Sequence, residues 1–429
     1  MSDSIKIRPL EGPLDAVVRP PGSKSITNRA LVCAALARGT STLTGALESE
    51  DTQVMIVALS QMGIAIEERD GGQTLVVTGC EGQIPQWGGE LQVANSGTTI
   101  RFLTSVAALG QGTFRLDGIA RMRERPIADL LSALGQLGAS ARSEQDNGCP
   151  PVIVQARRLP GGKATVAGDI SSQFLSSLLM AAPLAKQPVQ LKVEGPLVSQ
   201  PYVKMTLRVM EAFGVKVEAS DMERVAAATF AVPNKVYQAA DYAVEPDASA
   251  ASYFWAAAAI AGGRVCVEGL SRESLQGDVA FCERLDQMGC RVEYADDSVA
   301  VTGGALTGID VDMNGISDTV QTLAAVALFA KGPTRIRGVA HIRHKETDRI
   351  ADLATELRKL GATVDEYEDG LTITPDALRA ATIDTYNDHR MAMSLSLVGL
   401  KVPGVVINDP GCTAKTHPKF FEDLAGLTK

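Results

Sequence analysis

Two short stretches carry residues that could handle phosphate. In Pro20–Ala30, PPGSKSITNRA, Lys24, Ser25 and Arg29 open an Ala-rich segment that reads as a helix from Ser25 to about Arg38, with Gly39 as its stop signal. Cations in a first turn oppose the helix dipole by roughly 0.3–1 kcal/mol each. A bound anion would remove that conflict, because the unpaired N–H groups there already favour negative charge. Ser171-Ser172-Gln173 sets two hydroxyls and an amide at another helix start, a pattern that suits phosphate but is also an ordinary N-cap. Asn95-Ser96-Gly97-Thr98 either lets a ligand approach the backbone at Gly97 or is a tight turn.

Further cations recur near helix starts: Arg101, Lys345 with Arg349 one turn on, and Arg390. Arg121, Arg123 and Arg125 stand in ARMRERPI, and Lys415 in GCTAKTHPKF. Singly, each reads as a solvated surface residue; their recurrence at equivalent points of a repeat argues for a shared anion. Asp318 and Glu346 lie among them. Such carboxylates could move protons, or could simply cap positive helix ends. No GxSxG elbow, Walker A sequence or GxGxxG is present, so those routes to nucleophilic catalysis or nucleotide binding have no support.

The elements that must position these residues repeat. Five times a helix ends in an apolar residue plus Gly and turns into an alternating strand, with the glycines at 63, 138, 214, 289 and 361. Left-handed glycine caps explain each copy. FFEDLAGLTK reads as a sixth helix end, at Gly426, that has lost its strand, which an N-terminal segment such as Ile5–Leu10 could supply. Interleaved with these, six strands break into polar loops that open new helices near Ser25, Gly97, Ser172, Ala248, Asp318 and His389. Units of this length pack against their siblings, and six make two domains of three. The chain divides at residues 1–20 with 245–429, and 21–244.

The composition is that of an α/β globular protein: 429 residues, 45% hydrophobic and 21% charged. A net charge of −9 argues against general nucleic-acid or membrane-surface binding, so an anion site has to be built from local cations. Seven scattered cysteines without a CxxC, and only four histidines, suggest neither a disulfide framework nor a metal centre. The N-terminus MSDSIKIRPLEG lacks an apolar signal core, and a cytoplasmic setting is expected.

Taken together, PPGSKSITNRA, NSGTTIR, RMRERPI, SSQFLSSLLMAAPL, SQPYV, DASAASYF, HKETDR, YNDHRMAMSLSL and CTAKTHP resemble, in order and over nearly the whole chain, the 3-phosphoshikimate 1-carboxyvinyltransferase (EPSP synthase) family. The resemblance implies an α/β (α+β) fold of two domains, each an inside-out barrel of three βαβαββ units. It places the active site in the cleft between them, joined by a two-strand hinge.

It also implies transfer of the enolpyruvyl group of phosphoenolpyruvate to shikimate 3-phosphate, in aromatic amino-acid biosynthesis, with no cofactor or metal. Shikimate 3-phosphate would be held by Lys24, Ser25, Arg29, Ser171, Ser172, Gln173, Ser199, Tyr202, Asp318, His341 and Lys345. Phosphoenolpyruvate would be held by Lys24, Gly97, Arg125, Gln173, Arg349, Arg390 and Lys415, with Asp318, Glu346 and Lys24 catalytic. A monomer inhibited by glyphosate is expected. The family's usual GNAGTAMRP is here ANSGTTIRF, and its Asn ahead of KETDR is here His341. The loop GIARMRERPI lacks the cysteine typical of the sister enzyme that uses UDP-N-acetylglucosamine, which disfavours that rival. A non-catalytic repeat scaffold, the other rival, would have no need of Asp318 and Glu346 among the cations.

Overall fold

The computed structural model describes residues 3–220 and 228–427. The chain forms two compact units: a central one, Gly22–Val244, and a terminal one made of Met1–Pro21 and Glu245–Lys429.

Each unit is three repeats of one motif. In the clearest copy, the strand Gly88–Gln92 leads through the helix Gly97–Leu109 to the parallel strand Gln111–Asp117. The helix Ala128–Gln136 follows, and then an antiparallel pair, Ser140–Ser143 and Val152–Arg157, the latter joining the sheet beside Gln111–Asp117. A parallel neighbour needs a crossover long enough for a helix, whereas the antiparallel pair closes locally. Among the described residues, five of the six sheets are complete four-stranded versions of this pattern.

Two sheets complete themselves with distant chain. In the central unit Asp241–Ala243 pairs in parallel with Thr40–Thr44, and in the terminal unit Leu14–Val18 pairs in parallel with Gly263–Glu268. The sixth sheet has three strands: Thr382–Ile383, Val406–Asn408 and, antiparallel to the latter, Ser4–Lys6. The N-terminus thus supplies the missing strand, slightly earlier than Ile5–Leu10.

The first helix of each repeat lies inside. Gly97–Leu109, Ala248–Ala261 and His389–Ser396 are buried at every residue, which explains why their sequences are apolar or small all round rather than amphipathic. Hydroxyls join the inner helices of the terminal unit, Ser252 to Thr322 at 3.1 Å and Thr322 to Ser394 at 3.2 Å. The corresponding positions of the central unit carry Arg29, Arg101 and Ser176, so buried cations replace two of the three hydroxyls there.

The five repeat glycines have φ of +91° (Gly63), +84° (Gly138), +83° (Gly214), +107° (Gly289) and +107° (Gly361), the left-handed caps expected. Gly426 differs. It is the last residue of the helix Phe420–Gly426 and does not share their positive φ.

Five inner helices start within a residue of the expected markers. The fifth repeat departs: Asp318 lies in a 3-10 turn, Asn314–Thr319, and the α-helix begins at Val320. Among the described residues, no helix is long and apolar enough to cross a membrane.

Candidate active site

In the terminal unit the starts of the helices Arg349–Lys359 and His389–Ser396, with the 3-10 turns Asn314–Thr319, Ala340–His344 and Pro410–Lys415, bring seven of the expected residues together. The Asp318 carboxylate pairs with Lys345, with Arg349 Nη1 at 3.3 Å and with Arg390 Nη2 at 2.8 Å. Asp318 lies in a 3-10 turn rather than at a regular helix start, and its carboxylate faces three cationic side chains. Glu346 accepts from Arg349 Nη2 at 2.8 Å and pairs with Lys415 at 3.0 Å. Arg349 therefore bridges both carboxylates. Lys345 and Glu346 follow the 3-10 turn Ala340–His344, and this loop is locked by Arg343, which holds Asp348 at 2.9 Å and Glu366 at 3.0 Å.

Burial makes this cluster matter. Arg349 is 1% exposed, Arg390 5% and Lys415 8%. Burial alone would lower the Arg349 pKa, but Asp388, Glu346 and Asp318 outweigh it and raise the value. Burial also lowers the Lys345 pKa against the pull of Asp318, bringing that ammonium closer to the range useful for proton transfer.

Two partners were not legible as site residues. Asp388, fully buried, accepts from Arg349 Nε at 2.6 Å and Nη2 at 3.2 Å while capping the inner helix through Arg390 N–H at 2.8 Å. Tyr253, whose pKa burial pushes up to about 12, accepts from Arg390 Nη1 at 3.3 Å. An Asp before His-Arg reads from sequence as a cap, and its second role depends on an arginine 39 residues earlier.

His341 is buried, its pKa lowered to about 3 by desolvation and then by Lys345. The folded protein thus keeps it neutral, while an unfolded chain takes a proton below about 6.5. Above pH 6.5 the site costs nothing; as pH falls from 6.5 toward 3, stability drains away, by at most about 1.4 kcal/mol per pH unit. His341→Asn is expected to flatten the fall of melting temperature between those limits, a comparison of melting curves at pH 7 and pH 5 being the check. Equal slopes in both proteins would remove His341 from the acid response.

In the central unit the helices Lys24–Leu36, Gly97–Leu109 and Ser172–Ala181 start from serine caps: Ser23 accepts from Ile26 N–H at 3.4 Å, Ser96 from Thr99 N–H at 3.1 Å and Ser171 from Gln173 N–H at 3.3 Å. Ser171 thus serves as a cap, with Ser172 beside it. Arg101 Nη1 donates to Gln173 Oε1 at 2.7 Å, and Gln173 Nε2 donates to Thr98 at 3.2 Å, so the amide has one orientation. Arg29 is 1% exposed and engages Thr206 at 2.7 Å, Ser25 O at 2.9 Å and Tyr202 O at 3.4 Å. Desolvation brings its pKa down to about 10, still charged at neutrality, and its contacts tie Ser25 to Tyr202. Ser199 sits at φ +53°, a conformation costly for a non-glycine, just ahead of the helix Gln200–Ala212. Lys24 is the first residue of its helix and is half-buried.

Arg125 donates to Asn95 O at 3.2 Å and lies flat over Gly97. A Cβ on Gly97 would fall 2.5 Å from Arg125 Nη2 and 2.8 Å from Cζ, so the guanidinium has to move away. Arg121 and Arg123 are occupied by acids instead, Glu124 at 2.8 Å and Asp117 at 2.7 Å. Among the described residues no group of three or more His, Cys, Asp or Glu is arranged to hold a metal ion.

This architecture is shared with a solved EPSP synthase from Acinetobacter baumannii, at TM-score 0.81 and 26% identity, covering 100% of this chain and 99% of that one. The fold is therefore that of an enzyme class built from six βαβαββ units. Proteins named 3-phosphoshikimate 1-carboxyvinyltransferase from Nostoc punctiforme and Shewanella denitrificans are 50% and 47% identical over 421 residues, covering 98% and 97% of each chain. The one from Nitrosomonas europaea is 50% identical over 419 residues, 96% of each chain. The profile of the EPSP synthase (3-phosphoshikimate 1-carboxyvinyltransferase) family matches residues 10–424, and the chain belongs to that family.

Proposed function

We propose that this transferase moves the enolpyruvyl group of phosphoenolpyruvate onto the 5-hydroxyl of shikimate 3-phosphate, with release of inorganic phosphate. The observation that carries the mechanism is the bridging of Asp318 and Glu346 by one buried guanidinium, Arg349. Two carboxylates held that close among cations can divide the proton work of addition and elimination.

In the addition, Asp318 takes the proton of the 5-hydroxyl as its oxygen attacks C2, and Glu346 delivers a proton to C3. The tetrahedral phospho-ketal then loses phosphate, which leaves with the proton that Asp318 had taken, and Glu346 recovers a proton from C3 to restore the double bond and its own protonated form. Lys24 or Lys345 assists at the phosphate oxygens. The substrates together bring about five to six negative charges, which buried cations of the kind clustered in each unit would neutralise. Ser171, Ser172, Ser199, Gln173 and Tyr202 would hold shikimate 3-phosphate, and Arg125, Arg349, Arg390 and Lys415 phosphoenolpyruvate. The reading includes a cytoplasmic monomer.

Phosphate release that needs both substrates is the direct test; release with either alone, or none from folded protein, would count against the reading. The contact of Gly97 with Arg125 supports competition between glyphosate and phosphoenolpyruvate. Gly97→Ala is expected to raise KM for phosphoenolpyruvate and the glyphosate inhibition constant, each by about tenfold, ~1.4 kcal/mol, while KM for shikimate 3-phosphate holds. Steady-state kinetics in each substrate reads this out, and an unchanged KM would mean that Arg125 does not contact phosphoenolpyruvate.

A further inference from the structure

The central unit carries a second cleft, of about 680 Å³, that shares no residue with the candidate active site. It is lined by Trp87, Gln111, Thr113, Gln155, Arg157, Arg158 and Lys186, together with backbone of Gly112 and Ala156. Its volume falls in the usual range for small-molecule sites.

Three features of this cleft are unusual for a surface hollow. Trp87 is 73% exposed, in a chain whose other tryptophan, Trp255, is fully buried. Leaving so large a ring in water forgoes the stabilisation that burial brings. Trp87 sits directly before the strand Gly88–Gln92, and its backbone lies close to the neighbouring strand: a Cβ on Gly112 would lie 2.4 Å from Trp87 O, and one on Gly88 2.3 Å from Thr113 O. The third feature is charge. On this acidic chain many surface arginines have carboxylate partners; Arg115, in the same sheet, has Glu144 at 2.8 Å. Arg157, Arg158 and Lys186 form no ion pair among the described residues.

Arg157 pairs with Gln111 and Gln155 with Thr113 across the sheet, so their side chains stand in neighbouring rows on one face. An exposed aromatic plane, three cations and several amide or hydroxyl groups in one concavity match a flat ring that carries several negative charges. We propose that this cleft binds a nucleoside polyphosphate, with the base on Trp87 and the phosphates on Arg157, Arg158 and Lys186.

The two tryptophans make the test specific. Trp255 is sealed in the core with its indole N–H on Val299 O at 3.0 Å, so a ligand-induced change in emission reports Trp87. With excitation at the red edge of absorption, ATP without divalent cation should quench emission saturably. Adenosine and inorganic triphosphate should each bind at least about tenfold more weakly than ATP, ~1.4 kcal/mol. The double variant Arg157→Gln, Arg158→Gln should lose about tenfold in ATP affinity, and calorimetry on Trp87→Leu should show a similar loss, with unchanged melting curves confirming that both variants fold. A linear, unsaturating response overturns the proposal, as does ATP affinity unaffected by the arginine substitutions. Triphosphate binding as tightly as ATP also overturns it, because the ring would then contribute nothing.

Discussion

Asp318→Asn should release phosphate about 10²–10⁴-fold more slowly, while KM for phosphoenolpyruvate stays level or falls. The cluster around Asp318 holds four cations, Lys345, Arg349, Arg390 and Lys415, against three carboxylates, Asp318, Glu346 and Asp388. Neutralising one carboxylate makes the site more positive, which favours anionic substrates in the ground state. A loss confined to kcat is therefore the signature of a missing proton acceptor, not of a missing binding contact. Single-turnover measurement separates this from slow product release. If kcat held and only KM fell, Asp318 would be a counter-ion and the proton would have to leave by another group.

The second large effect is expected at Asp388. Asparagine there still caps the inner helix, because Asn and Asp are comparable N-caps. What Asp388→Asn removes is the charge that faces Arg349 at 2.6 Å in a fully buried position. Breaking one side of a buried pair costs ~3–5 kcal/mol, which in a unit of this size is a fall of roughly 10 °C in melting temperature. Arg349 loses its anchor, so KM for phosphoenolpyruvate should rise by tenfold or more, ~1.4 kcal/mol, with KM for shikimate 3-phosphate less affected. Calorimetric melting and the two KM values decide it; an unchanged melting temperature would show that Glu346 and Asp318 neutralise Arg349 unaided.

The repeat was legible because it rests on local physics. A helix that ends and turns at once into a strand needs a left-handed residue, so Gly63, Gly138, Gly214, Gly289 and Gly361 announce themselves wherever they fall. Gly426 carried the same letters without the following strand, and the conformation went with the strand. The cations at inner-helix starts were legible for a similar reason, since each conflicts locally with a dipole. Which cations are spent within the protein was not legible: Arg123 is held by Asp117 on the preceding strand, and Arg29 by Thr206 and the Tyr202 carbonyl more than 170 residues away. Asp388 was hidden because one carboxylate does two jobs, and only the local one, the cap, shows in the sequence.

The borrowed strands have a consequence for synthesis. The central unit is one uninterrupted stretch and has all of its sheets once Asp241–Ala243 has emerged. The terminal unit has no such luxury. Leu14–Val18 is made roughly 250 residues ahead of its partner Gly263–Glu268, and Ser4–Lys6 roughly 400 residues ahead of Val406–Asn408. At about 5–20 residues per second, the first of these strands spends on the order of 10–50 s with an open edge while another body folds behind it. A nascent chain of this protein thus carries unpaired strands at Ser4–Lys6 and Leu14–Val18, and holdase chaperones would be expected to engage them there during translation.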